Sequence, residues 1–151
     1  MEQRQGRQSR HVFNLRIRNR AMALSYFPRQ GEILICDFST GFRAPEMVKK
    51  RPVIIISPRA RTSRLVTVVP LSSTEPRPVE TCHYQLPAGA YPPARSTMWA
   101  KCDMINTVSV DRLDRVMTRD AADRRTYTTY HLTTKALQDV MSAVRSALSL
   151  T

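Results

Sequence analysis

Three short apolar runs, each rich in β-branched residues and each ended by turn formers, commit the middle of the chain to β structure. Glu32 to Phe38 lies between Gly31 and Ser39-Thr40-Gly41, Val53 to Ser57 stops at Pro58, and Leu65 to Leu71 stops at Ser72-Ser73-Thr74. Runs of this length and composition read as strands, because branched and aromatic side chains pack well on a pleated, half-buried surface. Arg59 to Arg64 reads as a basic hairpin loop, and Ser39 to Lys50 as a longer connection. Thr81 to Leu86 is a fourth strand, followed by a breaker segment through Pro87, Gly89, Pro92 and Pro93. Ser96 to Ile105 and Thr107 to Leu113 complete the β region. The period then changes. Leu137, Val140, Met141, Val144 and Leu148 recur every three or four residues, the stripe of an amphipathic helix, with Thr133 or Thr134 as its N-cap. The pattern predicts an α+β, mainly β chain: a small, partly open barrel with a C-terminal helix.

At 151 residues the chain suits one domain, large enough for a core without disulfides. Its three cysteines, Cys36, Cys82 and Cys102, show no CxxC spacing and read as small core residues of a reducing compartment. No run approaches the roughly 18 apolar residues of a membrane helix, and the N-terminus lacks the apolar centre of a secretory signal. The reading is a cytoplasmic protein with no membrane partner.

Charge narrows the partners. Lys and Arg number 24 against 12 Asp and Glu, a net charge of +12. Residues 1–25 read as a polar arm with six arginines (Arg4, Arg7, Arg10, Arg16, Arg18, Arg20) against Glu2, which leaves +7 for the remaining chain, 26–151. Met22 opens the structured sequence and is either the biological start or an internal residue behind a true basic arm. A surplus this large favours polyanions, nucleic acid first.

No HExxH, phosphate loop, GxSxG or GxGxxG occurs, and His11, His83 and His131 have no ligand spacing. No metal or other cofactor is expected. Basic and hydroxyl residues at strand ends remain: Lys49-Lys50-Arg51-Pro52, Ser72-Ser73-Thr74 and Lys101-Cys102-Asp103. Each can be a solvated face or a turn. Each also offers what phosphate chemistry needs: a guanidinium that grips two oxygens, hydroxyl donors, and a carboxylate that takes a proton.

Order and spacing add to this. GEILICDF, a loop carrying Glu46, RPVIIISP, VVPLSST and WAKCDMI, with a helix at the end, resemble the PemK/MazF (Kid-like) toxin family over roughly Phe27 to Leu148. The resemblance implies an SH3-like barrel of the CcdB/PemK type, a homodimer, and a metal-independent endoribonuclease acting on single-stranded RNA, mRNA above all. It implies attack by the 2′-hydroxyl, leaving a 2′,3′-cyclic phosphate and a 5′-hydroxyl, and silencing by a cognate antitoxin with an acidic, disordered tail. Arg51 would take the place of the catalytic arginine, Ser72 that of the catalytic Thr or Ser, Asp103 that of the general base, and Glu46 that of a loop acid. Lys49, Lys50, Ser73, Thr74 and Lys101 would bind RNA. Lys101 stands where the family has arginine and so lacks the bidentate fork, and Met104 replaces a common Gln. Phe42, Tyr84, Tyr91 and Trp99 are either base-stacking residues or core. The alternatives are a non-catalytic topoisomerase poison of the CcdB kind and a basic nucleic-acid-binding module.

Overall fold

The computed structural model describes residues 24–58 and 63–151. The N-terminal arm up to residue 23, with Met22, and residues 59–62 of the basic hairpin loop lie outside the described residues.

Gly31, in the left-handed region at φ 90°, turns the chain into β1 (Glu32–Asp37), a conformation its missing Cβ permits. β1 pairs antiparallel with β2 (Lys50–Ile55), and β2 with β3 (Leu65–Ser72). β4 (His83–Gln85) and β5 (Trp99–Lys101) continue the sheet beyond the end of β3. β6 (Asn106–Ser109) pairs with the start of β3. On the other side of β1 lie β7 (Leu113–Asp114) and β10 (Tyr130–His131). Between these, β8 (Val116–Arg119) and β9 (Arg125–Thr128) form a separate two-stranded hairpin.

Two apolar clusters cover the two faces of the curved sheet. Ile33, Ile54, Val69, Leu71, Ala100 and Cys102 pack against the helix α1 (Thr134–Ala147). Leu34, Cys36, Phe38, Val53, Ile55, Val66, Val68 and Leu113 fill the opposite face. This is why the strands read as nearly continuous apolar runs rather than alternating ones. In α1 the Thr133 hydroxyl accepts the Ala136 N–H as the N-cap. The buried residues are Ala136, Val140, Ala143 and Val144, while Leu148 is exposed. The helix is rotated from its Leu/Met stripe toward two alanines, whose small side chains let it lie close to the sheet.

The mainly β, α+β class is as expected, but the sheet does not close. Its hydrogen-bonded order runs from β10 to β4, with no ladder joining those ends among the described residues. The outer strands, two or three residues long, are too short for the tilt and stagger of a closed ring. The long strand expected over Ser96 to Ile105 is also interrupted. Leu71 faces Ala100 but Val68 faces Asn106, so three residues of β3 correspond to six of its partner chain. The 3₁₀ turn Cys102–Met104 absorbs the difference. Another such turn, Val110–Arg112, divides the strand expected over Thr107 to Leu113. The β8–β9 hairpin carried no apolar run to announce it.

All three cysteines are free and buried. Burial pushes the Cys36 and Cys102 thiols up to about 12. A thiol of the unfolded chain ionises near 8.5, so below that pH the folded state keeps its full advantage and above it the advantage is lost progressively. Unfolding free energy is therefore expected to fall as pH rises above about 8.5, with a shallower slope in Cys36→Ala. Both thiols should resist alkylation until urea is added. Equal reactivity with and without urea would contradict this burial.

Candidate active site

The β2–β3 register pairs Val53 with Pro70 and Ile55 with Val68. Carried two residues further, it sets Arg51 across from Ser72, both still within their strands. Pro52 lacks the amide hydrogen that would point toward β3, so the β2–β3 ladder stops just short of this pair. Side chains alternate along a strand, so Arg51 leaves the sheet on the face of Val53 and Ile55, and Ser72 on that of Val68. Trp99 lies opposite Ser72, and His83 opposite Lys101. Arg51, Ser72, Trp99, Lys101 and His83 thus share one face, beyond the edge of the apolar cluster that covers the rest of it.

Arg51 is half-buried, and its Nε is fully buried without a hydrogen-bond partner among the described residues. Leaving such a donor unpaired costs about 1–3 kcal/mol, more when charged, and an anionic oxygen is the partner that would remove the cost. Ser72 Oγ accepts the Thr74 N–H at 3.1 Å, which fixes the oxygen and leaves its proton free to donate. Ser73 and Thr74 sit exposed in the turn that follows. Lys50 lies across from Asp37, with Lys49 exposed beside it. Hydrogen bonds from Ser39, helped by Lys50 and Arg112, hold the Asp37 carboxyl below the usual range.

Asp103 projects from the 3₁₀ turn and faces His83, with Nε2 and Oδ1 3.6 Å apart. His83 Nδ1 accepts the Glu80 N–H at 3.1 Å, so the neutral ring carries its proton on Nε2, directed at Asp103. Ligand atoms of Cys82, His83 and Asp103 lie within 4.8 Å of one another, a spacing that also suits a cation. A metal at Nε2 would need the proton on Nδ1, where the Glu80 N–H already points, so the ring is set to donate rather than to ligate. His83 belongs to the site, and nothing in its sequence neighbourhood marks it. Only the β4–β5 register places it beside Lys101.

Glu46 is placed differently from the other candidates. Its carboxylate accepts the Arg43 N–H at 2.6 Å, closing a turn within the exposed loop that follows β1. That loop is anchored by Arg112. Its guanidinium donates to the carbonyls of Asp37 and Thr40, at 3.0 and 2.9 Å, and lies over the Phe42 ring at 5.0 Å. Phe42 in turn packs edge-on against Phe38. The other aromatic candidates are also engaged: Trp99 is buried, Tyr91 packs against Tyr130, and the Tyr84 hydroxyl donates to Asp139. Clefts of about 280 and 330 Å³ border the Pro87–Met98 segment and the start of α1, and neither includes these strand-end residues.

The sequence profile of the PemK-like, MazF-like toxins of type II toxin-antitoxin systems matches residues 29–150. The chain belongs to this family. A relative, the uncharacterised protein YifN of Escherichia coli (strain K12), is 28% identical over 118 residues, covering 64% of this chain and 78% of YifN. Among solved structures, MazF of Deinococcus radiodurans superposes with a TM-score of 0.60 at 18% identity, covering 83% of this chain and all of that one. An endoribonuclease from a mycobacterial species gives 0.58 at 20% identity, covering 83% and 94%. At these identities the likeness establishes a shared PemK/MazF fold. Among the described residues, no helix is long and apolar enough to cross a membrane.

Arg112→Ala is expected to release the PemK/MazF loop between β1 and β2. Two hydrogen bonds from a charged donor contribute about 1–3 kcal/mol at a partly exposed site. Trypsin should then cut at Arg43 and Lys49 about tenfold faster than in the parent chain, with the core still folded. An unchanged digestion rate would mean that the loop is held by other contacts.

Proposed function

We propose that this PemK/MazF-family chain is a toxin that cleaves single-stranded RNA, mRNA above all, at the Arg51–Ser72 strand end without a metal. The observation that carries the reading is the buried, unpartnered Nε of Arg51 opposite a serine whose proton is free. Such a pair suits a phosphodiester: Arg51 neutralises charge that builds on the phosphorane oxygens, and Ser72 donates a hydrogen bond to one of them. The RNA 2′-hydroxyl attacks the adjacent phosphorus as the bond to the 5′-oxygen breaks. The products are a 2′,3′-cyclic phosphate and a 5′-hydroxyl. Asp103 takes the 2′-hydroxyl proton, and the leaving oxygen gains one from solvent. The Nε2–H of His83 faces Asp103 and makes His83 a positioning residue for that base. An arginine holds its proton too tightly to be an efficient acid, so Arg51 acts through charge. Lys101, on the same face, supplies a point charge for a flanking phosphate. Lys49, Lys50, Ser73 and Thr74 line the approach, and Glu46 acts from the loop between β1 and β2.

The partner of such a toxin is a cognate antitoxin, and an acidic, disordered tail suits a chain of net charge +12. The mycobacterial endoribonuclease was solved with its cognate antitoxin, and MazF of D. radiodurans with MazE. A homodimer is part of the same reading.

Wild-type protein incubated with RNA in EDTA should yield discrete 5′-hydroxyl ends. Arg51→Ala and Ser72→Ala should each lower kcat by about 100- to 1,000-fold, while Ser72→Thr retains the hydroxyl and most of the activity. RNA that binds but stays intact would point to a binding module. Growth arrest that persists in Arg51→Ala without RNA cleavage would point to a topoisomerase poison.

A further inference from the structure

Among the described residues the β8–β9 hairpin pairs with no other strand, and one of its faces is exposed. Val116 is buried, and Thr118 and Thr126 share a hydrogen bond of 2.8 Å on the inward side. The alternate residues, Arg115 just before β8, Met117 and Arg119 on β8 and Arg125 and Tyr127 on β9, are all exposed. Met117 lies opposite Tyr127, and Arg119 opposite Arg125. Met117 is 46% exposed and Tyr127 37%, and the Arg115 guanidinium lies over the Tyr127 ring at 5.3 Å.

Charge makes this face a binding surface rather than a solvated one. Like charges directly opposite across two strands destabilise a hairpin, yet Arg119 and Arg125 occupy such a pair. The acids of the hairpin tip do not relieve all of it. Asp123 pairs with Arg119 at 3.3 Å and Asp120 with Arg124 at 2.9 Å, whereas Arg115 and Arg125 have no carboxylate partner among the described residues. Cations interleaved with an exposed aromatic ring suit a single strand of nucleic acid, with phosphates on the arginines and a base on the ring. An acidic peptide would use the charge and leave the aromatic surface idle.

Position connects this face to the strand-end site. Arg51 pairs with Cys36 on β1, and Cys36 pairs with Leu113 on β7. Leu113 is therefore two strand spacings, roughly 10 Å, from Arg51, and Arg115 follows two residues later. β7 lies two strands from Arg51 and leads directly into β8, so the hairpin begins near the same end of the sheet.

We propose that the exposed face of β8–β9 is a second RNA-binding site, which holds nucleotides flanking the cleaved one. This rests on the RNA-cleaving reading. Arg115 and Arg125 contact phosphates, and Tyr127 stacks on a base.

The test compares a long single-stranded RNA with a short oligonucleotide that spans only the cleaved step. In the full chain carrying Tyr127→Ser and Arg125→Gln, KM for the long RNA should rise about tenfold, because a stacked base and a phosphate contact are both lost. The dependence of log KM on log salt should flatten by about one unit, and kinetics on the short oligonucleotide should not change. Equal loss on both RNAs, or no loss on either, overturns the proposal. The same pair of substitutions in an Arg51→Ala background, with fluorescence anisotropy on the long RNA, reads the hairpin even if the chain does not cleave. Unchanged affinity there overturns the second site without touching the question of cleavage. Weaker capture of a polyglutamate peptide with RNA binding intact, or a dimer converted to monomer, would assign the face to a protein partner instead.

Discussion

The molecule depends on β3 being buried on both faces. Val69 and Leu71 support the helix side, and Val66 and Val68 support the other. The same strand pairs with β2, β5 and β6. A strand so placed cannot slip by one residue without exchanging its two apolar sets. Its register is therefore tightly specified, and so is everything read from that register. Arg51, Ser72, Trp99 and Lys101 meet on one face because β3 fixes β2 on one edge and β5 on the other. Ser72 stands at the last residue of this strand, where packing ends and solvent begins.

The same specification explains what the sequence could reveal. The three central strands and the terminal helix announce themselves through apolar runs and a 3.6-residue stripe, and both are consequences of burial. The family resemblance rested on those runs and on the strand-end residues beside them, so Arg51 and Ser72 could be named as candidates, and the register sets them across from each other. Asp103 was legible as a residue, but its surroundings were not. Its turn exists because one edge of β3 carries two strands in different registers, a fact about pairing rather than about local composition. His83 was hidden for the same reason. It acquires meaning only when β4 lies against β5 and the Glu80 N–H selects the ring tautomer. Of the aromatic residues read as either base-stacking or core, Trp99 is buried, Tyr91 packs against Tyr130 and Phe42 against Phe38. The β8–β9 hairpin left no apolar trace because only Val116 of it is buried.

Prolines give the site its freedom. Pro52 interrupts the ladder between β2 and β3, and Pro70 leaves its gap on the opposite edge of β3, toward β5 and β6, in the centre of a sheet where proline is normally excluded. The apolar packing of Val53, Ile54, Ile55, Val68 and Val69 holds β2 and β3 together without the Pro52 amide. Beyond the interruption the strands still lie in register, but their backbones no longer bind each other. Rigid placement and unoccupied polar groups occur at the same point, which is what preorganisation requires.

Arg51 and Arg112 show how the fold separates a cation paired within the protein from one whose buried nitrogen has no partner among the described residues. Both guanidiniums lie near the β1 end that launches the long loop. Arg112 is satisfied by two carbonyls and an aromatic face, so it serves as a clamp. Arg51 stands on the neighbouring strand with a buried nitrogen that finds no acceptor among the described residues. Folding forces bear the cost of that unpaired donor, since the strands on either side of Arg51 are held by apolar contacts. On the RNA-cleaving reading proposed above, a phosphate would meet a guanidinium that has already lost part of its water: the sheet desolvates the group in advance, and the substrate would supply the missing acceptor.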